Sequence, residues 1–279
     1  MTNPDTNPKI VLVPGASRPV GRAIARLFAE SGYRLLLPVF GDWPESNEEM
    51  ADEFASKGYQ FKICPCDLTN REEVISMCEA INSEFGAINH LINNIERGGM
   101  PILHGSYYKQ INAQQWELET NMTIKAKLYL YENALPLLKK CHSSSIINVT
   151  SIASLTGRSG PVSPLFSDGY ALSNSAVSLF TKTWAREAAP DVRVNEVKVG
   201  VINGRHGEGT RGWKLLSADQ KEQIKSHTLL QRNGDPDEIA DLVYFLAVKA
   251  TYLTGSTIVA DGGFILGGDE FQKLPEGSL

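Results

Sequence analysis

A glycine-bounded turn near the start of the chain is the first segment whose residue types could do chemistry. The turn covers residues 13–21, with Gly15 and Gly21 near its two ends, and it separates a short apolar run from an amphipathic stretch. Such a turn can direct backbone N–H groups and a helix N-terminus at a pyrophosphate. Any tight turn between a strand and a helix also favours glycine, so this segment alone leaves both interpretations open.

The elements that must position this turn alternate between apolar runs and amphipathic stretches, which predicts alternating strands and helices. The predicted strands cover residues 10–13, 34–40, 60–64, 89–92, 145–150, 193–199 and 257–259. The predicted helices cover residues 22–31, 45–57, 71–85, 117–140, 170–188 and 236–248.

Short buried strands separated by helices predict a mostly parallel sheet that is covered on both faces. Right-handed crossovers then give one doubly wound, Rossmann-like α/β domain over residues 1–279, with loose ends at 1–8 and 269–279. Ligands of such a sheet bind outside the carboxyl ends of its strands. The segments expected to form the site are therefore 14–21, 39–42, 67–68, 93–99, 151–169 and 200–214.

The composition argues against several classes of protein. The chain has 27 Lys and Arg against 32 Asp and Glu, and this net charge of −5 argues against nucleic-acid binding. No apolar run approaches the ~18 residues of a membrane span, and the first residues lack the pattern of a signal peptide. The cysteines, at positions 64, 66, 78 and 141, lack the spacing of a zinc site. We expect reduced thiols, no bound metal and a cytoplasmic protein.

Motifs at nearly every strand end share one order along the chain. The glycine turn comes first, Asp67-Leu68 follows the third predicted strand, and Asn93-Asn94 follows the fourth. Further motifs are Asn121 and the segments 148–151, 170–173, 193–195, 234–240, 253–255 and 261–263. With these motifs the chain resembles the short-chain dehydrogenase/reductase family from about residue 9 to residue 268.

The resemblance implies that a nicotinamide dinucleotide binds across these strand ends. Asp67 would then lie at the adenine, Asn93 near the adenine ribose, and Ser17 at the phosphates. The full set of residues that we assign to the cofactor is Gly15, Ser17, Arg18, Val20, Gly21, Asp67, Leu68, Asn93, Asn174 and Gly200. The turn departs from the family pattern at Pro14 and at Pro19, which lacks an N–H donor. Proline is well tolerated at a first helical position, so we still expect binding.

The end of the second predicted strand bears on the choice of cofactor. NAD enzymes usually carry an acidic residue there, on the ribose 2′-OH. Here that position is Val39, and Asp42 comes three residues later. Arg18 in the turn could bind a 2′-phosphate through a charge-assisted fork, although a solvated loop arginine is the alternative. We expect NADP(H) rather than NAD(H).

The resemblance also implies hydride transfer coupled to proton transfer. Tyr170 would be the acid/base, Ser151 the hydroxyl that orients the substrate oxygen, and Asn121 the anchor of a water molecule. The family's lysine, four residues after the tyrosine, is replaced by Asn174. Removing this ammonium removes the main influence that lowers a tyrosine pKa from about 10. A neutral tyrosine can still donate a proton, so the replacement favours reduction or a non-redox use of the site.

Another lysine could compensate for this loss. Glu196 and Lys198 lie on one face of the sixth predicted strand. One hypothesis is that Lys198 reaches toward Tyr170 and restores part of the missing field, with Glu196 as its counter-ion. The alternative is that the two side chains simply pair with each other or with the flanking helix.

Three segments are predicted to surround the substrate as loops. The first, residues 156–169, precedes Tyr170, and its Asp168 could contact substrate, cap a helix or be solvated. Ser154 and Ser159 are alternatives to Ser151. The other two loops, residues 95–108 and 202–231, carry aromatic and cationic side chains that suit an aromatic or acidic substrate, or a mobile lid. These side chains are Arg97, His104, Tyr107, Tyr108, Arg205, His206, Arg211, Trp213 and Lys214.

The retained Ser151, Tyr170 and Asn121 favour an NADP(H)-dependent oxidoreductase that reduces a carbonyl or imine of a small metabolite. Asn174 and Pro19 favour two alternatives: a non-redox lyase, isomerase or cyclase, and a dinucleotide-binding protein without catalysis. The expected partners are a small-molecule substrate and further copies of the chain. The resemblance implies a homodimer or homotetramer formed through the helices that contain Asn121 and Tyr170.

Overall fold

The computed structural model describes residues 8–41, 44–95, 113–203, 213 and 216–267. Its strands are β1 (Ile10–Leu12), β2 (Arg34–Val39), β3 (Phe61–Pro65), β4 (His90–Asn93), β5 (Ser144–Ser151), β6 (Val192–Val199) and β7 (Thr257–Ala260). They form one sheet in the order β3-β2-β1-β4-β5-β6-β7, and every neighbouring pair is parallel. The predicted Rossmann-like α/β fold is confirmed.

The α-helices are α1 (Pro19–Glu30), α2 (Pro44–Ser56), α3 (Arg71–Phe85), α4 (Ala113–Thr120), α5 (Ala126–Leu138), α6 (Ala153–Thr156), α7 (Asp168–Ala188), α8 (Ala218–His227) and α9 (Pro236–Tyr244). A π-turn, Asn121–Lys125, joins α4 to α5, and a second one, Phe245–Lys249, continues α9. Single 3₁₀ turns lie at Ser163–Leu165 and Phe264–Leu266.

Two apolar layers cover the faces of the sheet, because successive side chains of a strand point to opposite faces. In β1, Ile10 and Leu12 join the layer that packs against α3, α5 and α7. Val11 joins the layer on the opposite face, against α1, α2 and α9. A third, smaller cluster contains Tyr170 and Phe264 and lies with the segments that follow the carboxyl ends of β5 and β6. The strands are thereby fixed on both faces, and the connections after them are left to form a site.

Three predicted segments were wrong in detail. The single helix over 117–140 begins instead at Ala113, and it is interrupted by the π-turn that starts at Asn121. The loop predicted over 156–169 includes a 3₁₀ turn and the beginning of α7. The loop predicted over 202–231 contains α8, whose start is fixed by a capping box between Ser217 and Gln220.

Two further predictions concern membranes and metals. Within the described ranges, no helix is both long enough and apolar enough to cross a membrane. The same ranges hold no group of three His, Cys, Asp or Glu side chains that could bind a metal ion. The predicted loose ends of the chain fall almost entirely outside the described residues.

Candidate active site

The glycine turn brings three backbone segments into close contact. Gly15 has a φ of +74°, in the left-handed region that glycine adopts most readily. A Cβ atom at Gly15 would lie 2.5 Å from the carbonyl oxygen of Asn94, and one at Gly21 would lie 2.2 Å from the carbonyl oxygen of Gly15. Side chains at Gly15 and Gly21 are therefore excluded, and the turn, α1 and the segment after β4 approach closely, with the Asn94 side chain donating to the carbonyl oxygen of Gly15 at 3.5 Å. This is the close approach that a pyrophosphate cradle needs.

The N-terminus of α1 begins at this turn. Arg18 is the N-cap residue, and its side chain makes no capping hydrogen bond. Pro19 occupies the first helical position, where its missing N–H costs the helix no hydrogen bond. The first turn of α1 contains no acidic side chain. The positive end of the helix dipole is therefore not neutralised from within the helix, as suits an anion-binding helix N-terminus.

Arg22 is a buried arginine that was not predicted to belong to the site, and its side chain binds the backbone of the glycine turn. One guanidinium nitrogen of Arg22 donates to the carbonyl oxygens of Ser17, at 3.0 Å, and Ser46, at 2.8 Å. The other terminal nitrogen lies 3.6 Å from Glu49 and 3.9 Å from Glu53. Carboxylates from α2 balance the charge of Arg22. Because Arg22 also binds the carbonyls of Ser17 and Ser46, it links the turn to α2.

Residues predicted near the adenosine lie at the ends of β3 and β4. The Asp67 carboxylate accepts hydrogen bonds from the backbone N–H of Thr69 at 2.9 Å and from its hydroxyl at 2.7 Å. The side chain of Leu68 packs into the core. Asn93 is fully buried and donates to Asn148 Oδ1 at 3.2 Å. Asn93 Oδ1 has no hydrogen-bond partner in the described part of the chain.

Asn174 connects the segments that carry Ser151 and Tyr170. Its Oδ1 accepts the backbone N–H of Ser151 at 3.1 Å, and its Nδ2 donates to the carbonyl oxygen of Tyr170 at 3.0 Å. Asn174 is completely buried, and both ends of its amide bind backbone groups. The end of β5 and the first turn of α7 are thereby held together. A role for Asn174 at the cofactor ribose stays a prediction.

The start of α7 is fixed by a second contact, from a residue that the sequence analysis also missed. Ser167 is the N-cap of α7, and its Oγ accepts the N–H of Tyr170 at 3.0 Å. The same hydroxyl donates to the buried carboxylate of Glu119 on α4 at 2.7 Å. A Cβ atom at Gly169 would lie only 2.5 Å from Glu119 Oε2, so glycine lets the carboxylate approach the first turn of α7 closely.

Apolar side chains surround Tyr170, which is 6% exposed. Phe166 lies with its ring centroid 5.8 Å from the tyrosine ring. Leu216 and Phe264 belong to the same cluster, and Trp213 packs against it. Of the aromatic and cationic side chains predicted for the loops 95–108 and 202–231, Trp213 is the one that the described residues include. Asp42, Arg97, His104, Tyr107, Tyr108, Arg205, His206, Arg211 and Lys214 lie outside the described residues.

Lys198 contacts side chains on β6, α6 and α7. Its Nζ lies 3.5 Å from Glu196 and donates to Ser154 Oγ at 2.5 Å and Ser178 Oγ at 2.8 Å. Ser178 is eight residues beyond Tyr170, which is about 12 Å along the axis of α7. Burial lowers the pKa of Lys198, and the charge of Glu196 opposes that shift. The alternative explanation, a buried ion pair against the flanking helix, describes these contacts, and an effect of Lys198 on Tyr170 stays a prediction.

The remaining predicted residues have mainly backbone or local contacts. Asn121 begins the π-turn, and its carbonyl oxygen accepts the N–H of Ala126. A Cβ atom at Gly200 would lie 2.6 Å from Asp261 Cα, so glycine permits the close approach there. Asp168 lies 3.3 Å from Arg158. Ser154 donates to the carbonyl oxygen of Ser151 and Ser159 to that of Thr156. Val20 packs partly buried against the core.

Comparisons with known proteins agree with this architecture. A family model described as Enoyl-(Acyl carrier protein) reductase matches residues 15–265. A solved structure of a short-chain dehydrogenase/reductase from Burkholderia xenovorans superposes with a TM-score of 0.79 at 25% identity, covering 94% of this chain and 100% of that one. The chain belongs to the short-chain dehydrogenase/reductase family.

This short-chain dehydrogenase/reductase is also similar to curated enzymes. It is 31% identical over 260 residues to the 3-oxoacyl-[acyl-carrier-protein] reductase FabG of Staphylococcus epidermidis, covering 92% of this chain and 99% of that protein. It is 32% identical to FabG of Vibrio cholerae over 262 residues, covering 92% and 98%. Aldohexose dehydrogenase of Thermoplasma acidophilum superposes with a TM-score of 0.76 at 25% identity, covering 98% and 99%. These likenesses support a dinucleotide-dependent reductase.

Proposed function

We propose that the protein is an NADP(H)-dependent oxidoreductase that reduces a carbonyl or imine of a small molecule, with Tyr170 as the proton donor. The observation that carries this proposal is the amide of Asn174, which binds the N–H of Ser151 and the carbonyl of Tyr170. A hydroxyl and a phenol are thereby held at the carboxyl edge of a parallel sheet, where ligands of this fold bind.

Each residue has a separate part in this reaction. The backbone N–H groups of the turn at Gly15 and Gly21, with the N-terminus of α1, would hold the pyrophosphate, and the cradle that a Cβ would fill fits this group. When bound, the nicotinamide supplies the hydride. Ser151 donates a hydrogen bond to the substrate oxygen or nitrogen, and Tyr170 transfers its phenolic proton to that atom. The apolar cluster around Tyr170 excludes water from this proton transfer.

Two residues support NADP(H) over NAD(H). Val39 ends β2 and has no acidic group for a ribose 2′-OH. Arg18 is the N-cap residue of α1, next to the position of the pyrophosphate, where a guanidinium suits a 2′-phosphate.

Titration with the two cofactors tests this preference. Following nicotinamide fluorescence, we expect NADPH to bind at least ten times more tightly than NADH. Arg18→Ala should remove most of that difference, because the charged contact to a phosphate contributes about 1.5–3 kcal/mol. Arg71→Ala, at an exposed ion pair with Glu132 on the other face of the sheet, is the control and should keep the preference. Equal affinities in the unaltered protein would refute the assignment.

A panel of carbonyl compounds and NADPH tests the reaction. We expect Tyr170→Phe and Ser151→Ala to lose at least 100-fold in turnover with unchanged NADPH affinity, since general acid catalysis typically contributes about 10²–10⁴-fold. Tyr252→Phe is the matched control, because this tyrosine is fully exposed and its variant should retain activity. Full activity of Tyr170→Phe would contradict the role of the phenol.

A second candidate function is dinucleotide binding without redox turnover, on its own or with non-redox chemistry at the same site. It is favoured by Asn174, a neutral side chain that binds two backbone groups where the family has a lysine. Tight NADPH binding without consumption of NADPH on any compound of the panel would favour this candidate.

We also propose a cytoplasmic homo-oligomer that assembles through α5 and α7. Leu172 and Leu179 are 53% and 67% exposed and lie seven residues apart on α7. Residues seven apart share one face of a helix, so they form an apolar stripe on the surface. Light scattering should give a dimer or tetramer that Leu179→Glu dissociates. A monomer at micromolar concentration would refute the assembly.

A further inference from the structure

A fully buried lysine lies in the middle of α5, outside the residues used above. The Nζ atom of Lys127 donates to the carbonyl oxygen of Asn93 at 2.7 Å and to that of Val149 at 3.2 Å. Its side chain has no exposed surface. Burying an ammonium is costly, and an apolar side chain of similar volume would often be as stable. The charge of Lys127 therefore calls for a reason other than stability.

Lys127 and Asn174 bind neighbouring groups on the same edge of β5. Lys127 binds the carbonyl of Val149, and Asn174 binds the N–H of Ser151. Groups two residues apart in a strand point to the same side, and they are separated by at most about 7 Å. The buried ammonium therefore lies beside the amide that binds the Tyr170 carbonyl.

We infer that Lys127 is a positioning residue that acts on Tyr170 through its charge, as the buried cation of the proton-transfer site. The inference rests on the proposed function, because the proposed reaction is what gives Tyr170 a proton to transfer. It does not require Lys127 to touch substrate or cofactor. The charge comes from a residue of α5 that lies beside the end of β5, and not from a residue of α7.

The size of the effect follows from distance. One turn of α7, about 5 Å, and the strand spacing, about 7 Å, put the turn of α7 that carries the phenol within about 12 Å of Lys127. At an effective dielectric constant of about 20, a unit charge at that distance favours the phenolate by about one pH unit.

Other charged groups that face Tyr170 partly balance one another. Glu119 on α4 acts through Ser167 and disfavours the phenolate. Arg158 is paired with Asp168. The ion pair of Glu196 and Lys198 on β6 is the third charged group. It consists of opposite charges 3.5 Å apart, so its net field at Tyr170 is small. The charge of Lys127, which is held at the carbonyls of Asn93 and Val149, acts on Tyr170 in addition to these groups.

The experiment is an NMR titration of protein labelled with ¹³Cζ-tyrosine, with the Tyr170 signal assigned by Tyr170→Phe. Lys127→Met should raise the Tyr170 midpoint by about one pH unit. Lys127→Arg should leave the midpoint near that of the unaltered protein, and Asn174→Lys in the Lys127→Met background should lower it again. Lys140→Met is the control, because this exposed lysine follows the far end of α5, about 20 Å along the helix axis from Lys127, and salt screens its charge at that distance, so the midpoint should not move.

The titration needs no turnover, so it separates this inference from the proposed reaction. If Lys127→Met folds and leaves the Tyr170 midpoint unchanged, Lys127 is only a structural tie between β4 and β5, and the inference is overturned. Lys127→Gln keeps a donor for the two carbonyls and replaces Lys127→Met if that variant does not fold. A shifted midpoint in a protein that consumes no NADPH would support the role of Lys127 and refute the reductase.

Discussion

Ser167→Ala removes the hydroxyl that joins α4 to the first turn of α7. Two contacts are lost together: the N-cap to the N–H of Tyr170 at 3.0 Å and the bond to the buried Glu119 carboxylate at 2.7 Å. An N-cap contributes about 1 kcal/mol, and a hydrogen bond to a buried charged group about 1.5–3 kcal/mol. We therefore expect the free energy of unfolding to fall by about 2.5–4 kcal/mol.

The matched control is Ser217→Ala, which removes the N-cap of α8. Ser217 accepts the N–H of Gln220 at 3.1 Å, but it is exposed and its hydroxyl binds no buried carboxylate among the described residues. This variant should lose only about 1 kcal/mol. Urea unfolding followed by circular dichroism measures both values.

The two serine variants should also differ in activity. Ser167→Ala loosens the turn that orients Tyr170, so its kcat should fall while its affinity for NADPH remains. Ser217→Ala should retain both. If Ser167→Ala loses no more stability than Ser217→Ala, the contact with Glu119 does not fix the start of α7 and the explanation fails.

Two other predictions concern the glycine turn and a buried histidine. Gly21→Ala places a Cβ atom 2.2 Å from the carbonyl oxygen of Gly15, so it should abolish measurable NADPH binding and lower the free energy of unfolding. Gly41→Ala is the control. Its Cβ meets no atom within 4 Å, so the free energy of unfolding should stay nearly unchanged. Unaltered binding by Gly21→Ala would contradict the cradle. Burial lowers the pKa of His90 to about 3, so below pH of about 6.5 the unfolded chain binds a proton that the folded chain does not. Between about pH 6 and 4, His90 should therefore lower the free energy of unfolding by about 1.4 kcal/mol for each unit by which the pH falls. Urea unfolding of His90→Asn should show a pH slope that is smaller by that amount. Equal slopes in the two proteins would refute this role of His90.

The regular part of the fold could be predicted because its signal is local. Short β-branched runs and amphipathic stretches mark β5 and α7, and a glycine follows α1 at Gly32. The interruption of the long helix at Asn121 could not be predicted, because a π-turn changes no residue type and depends on how α4 and the turn itself pack on α7. The start of α8 does have a local signal in the sequence, the capping-box spacing of Ser217 and Gln220.

The sequence predicted which residues follow the strand ends at the site, but it did not predict which charged side chains are buried beside them. Asn174, placed by its helical spacing from Tyr170, does bind the segment that carries Ser151. Glu119 and Lys127 lie on helices whose sequence pattern gives no sign that a charged side chain is buried. Their contacts join elements far apart in sequence, such as Lys127 with Asn93, and only the tertiary structure brings these together.

Hydride transfer is the step on which the proposed function depends, and transfer of deuterium measures it directly. NADPH deuterated at both C4 positions is mixed with the protein and a reducible carbonyl compound, and the product is analysed by mass spectrometry. We predict one deuterium on the carbon of the new alcohol, and no such product from Tyr170→Phe, which still binds NADPH. Conversion of a compound to a product that carries no deuterium would contradict the reductase and identify non-redox chemistry at the same site.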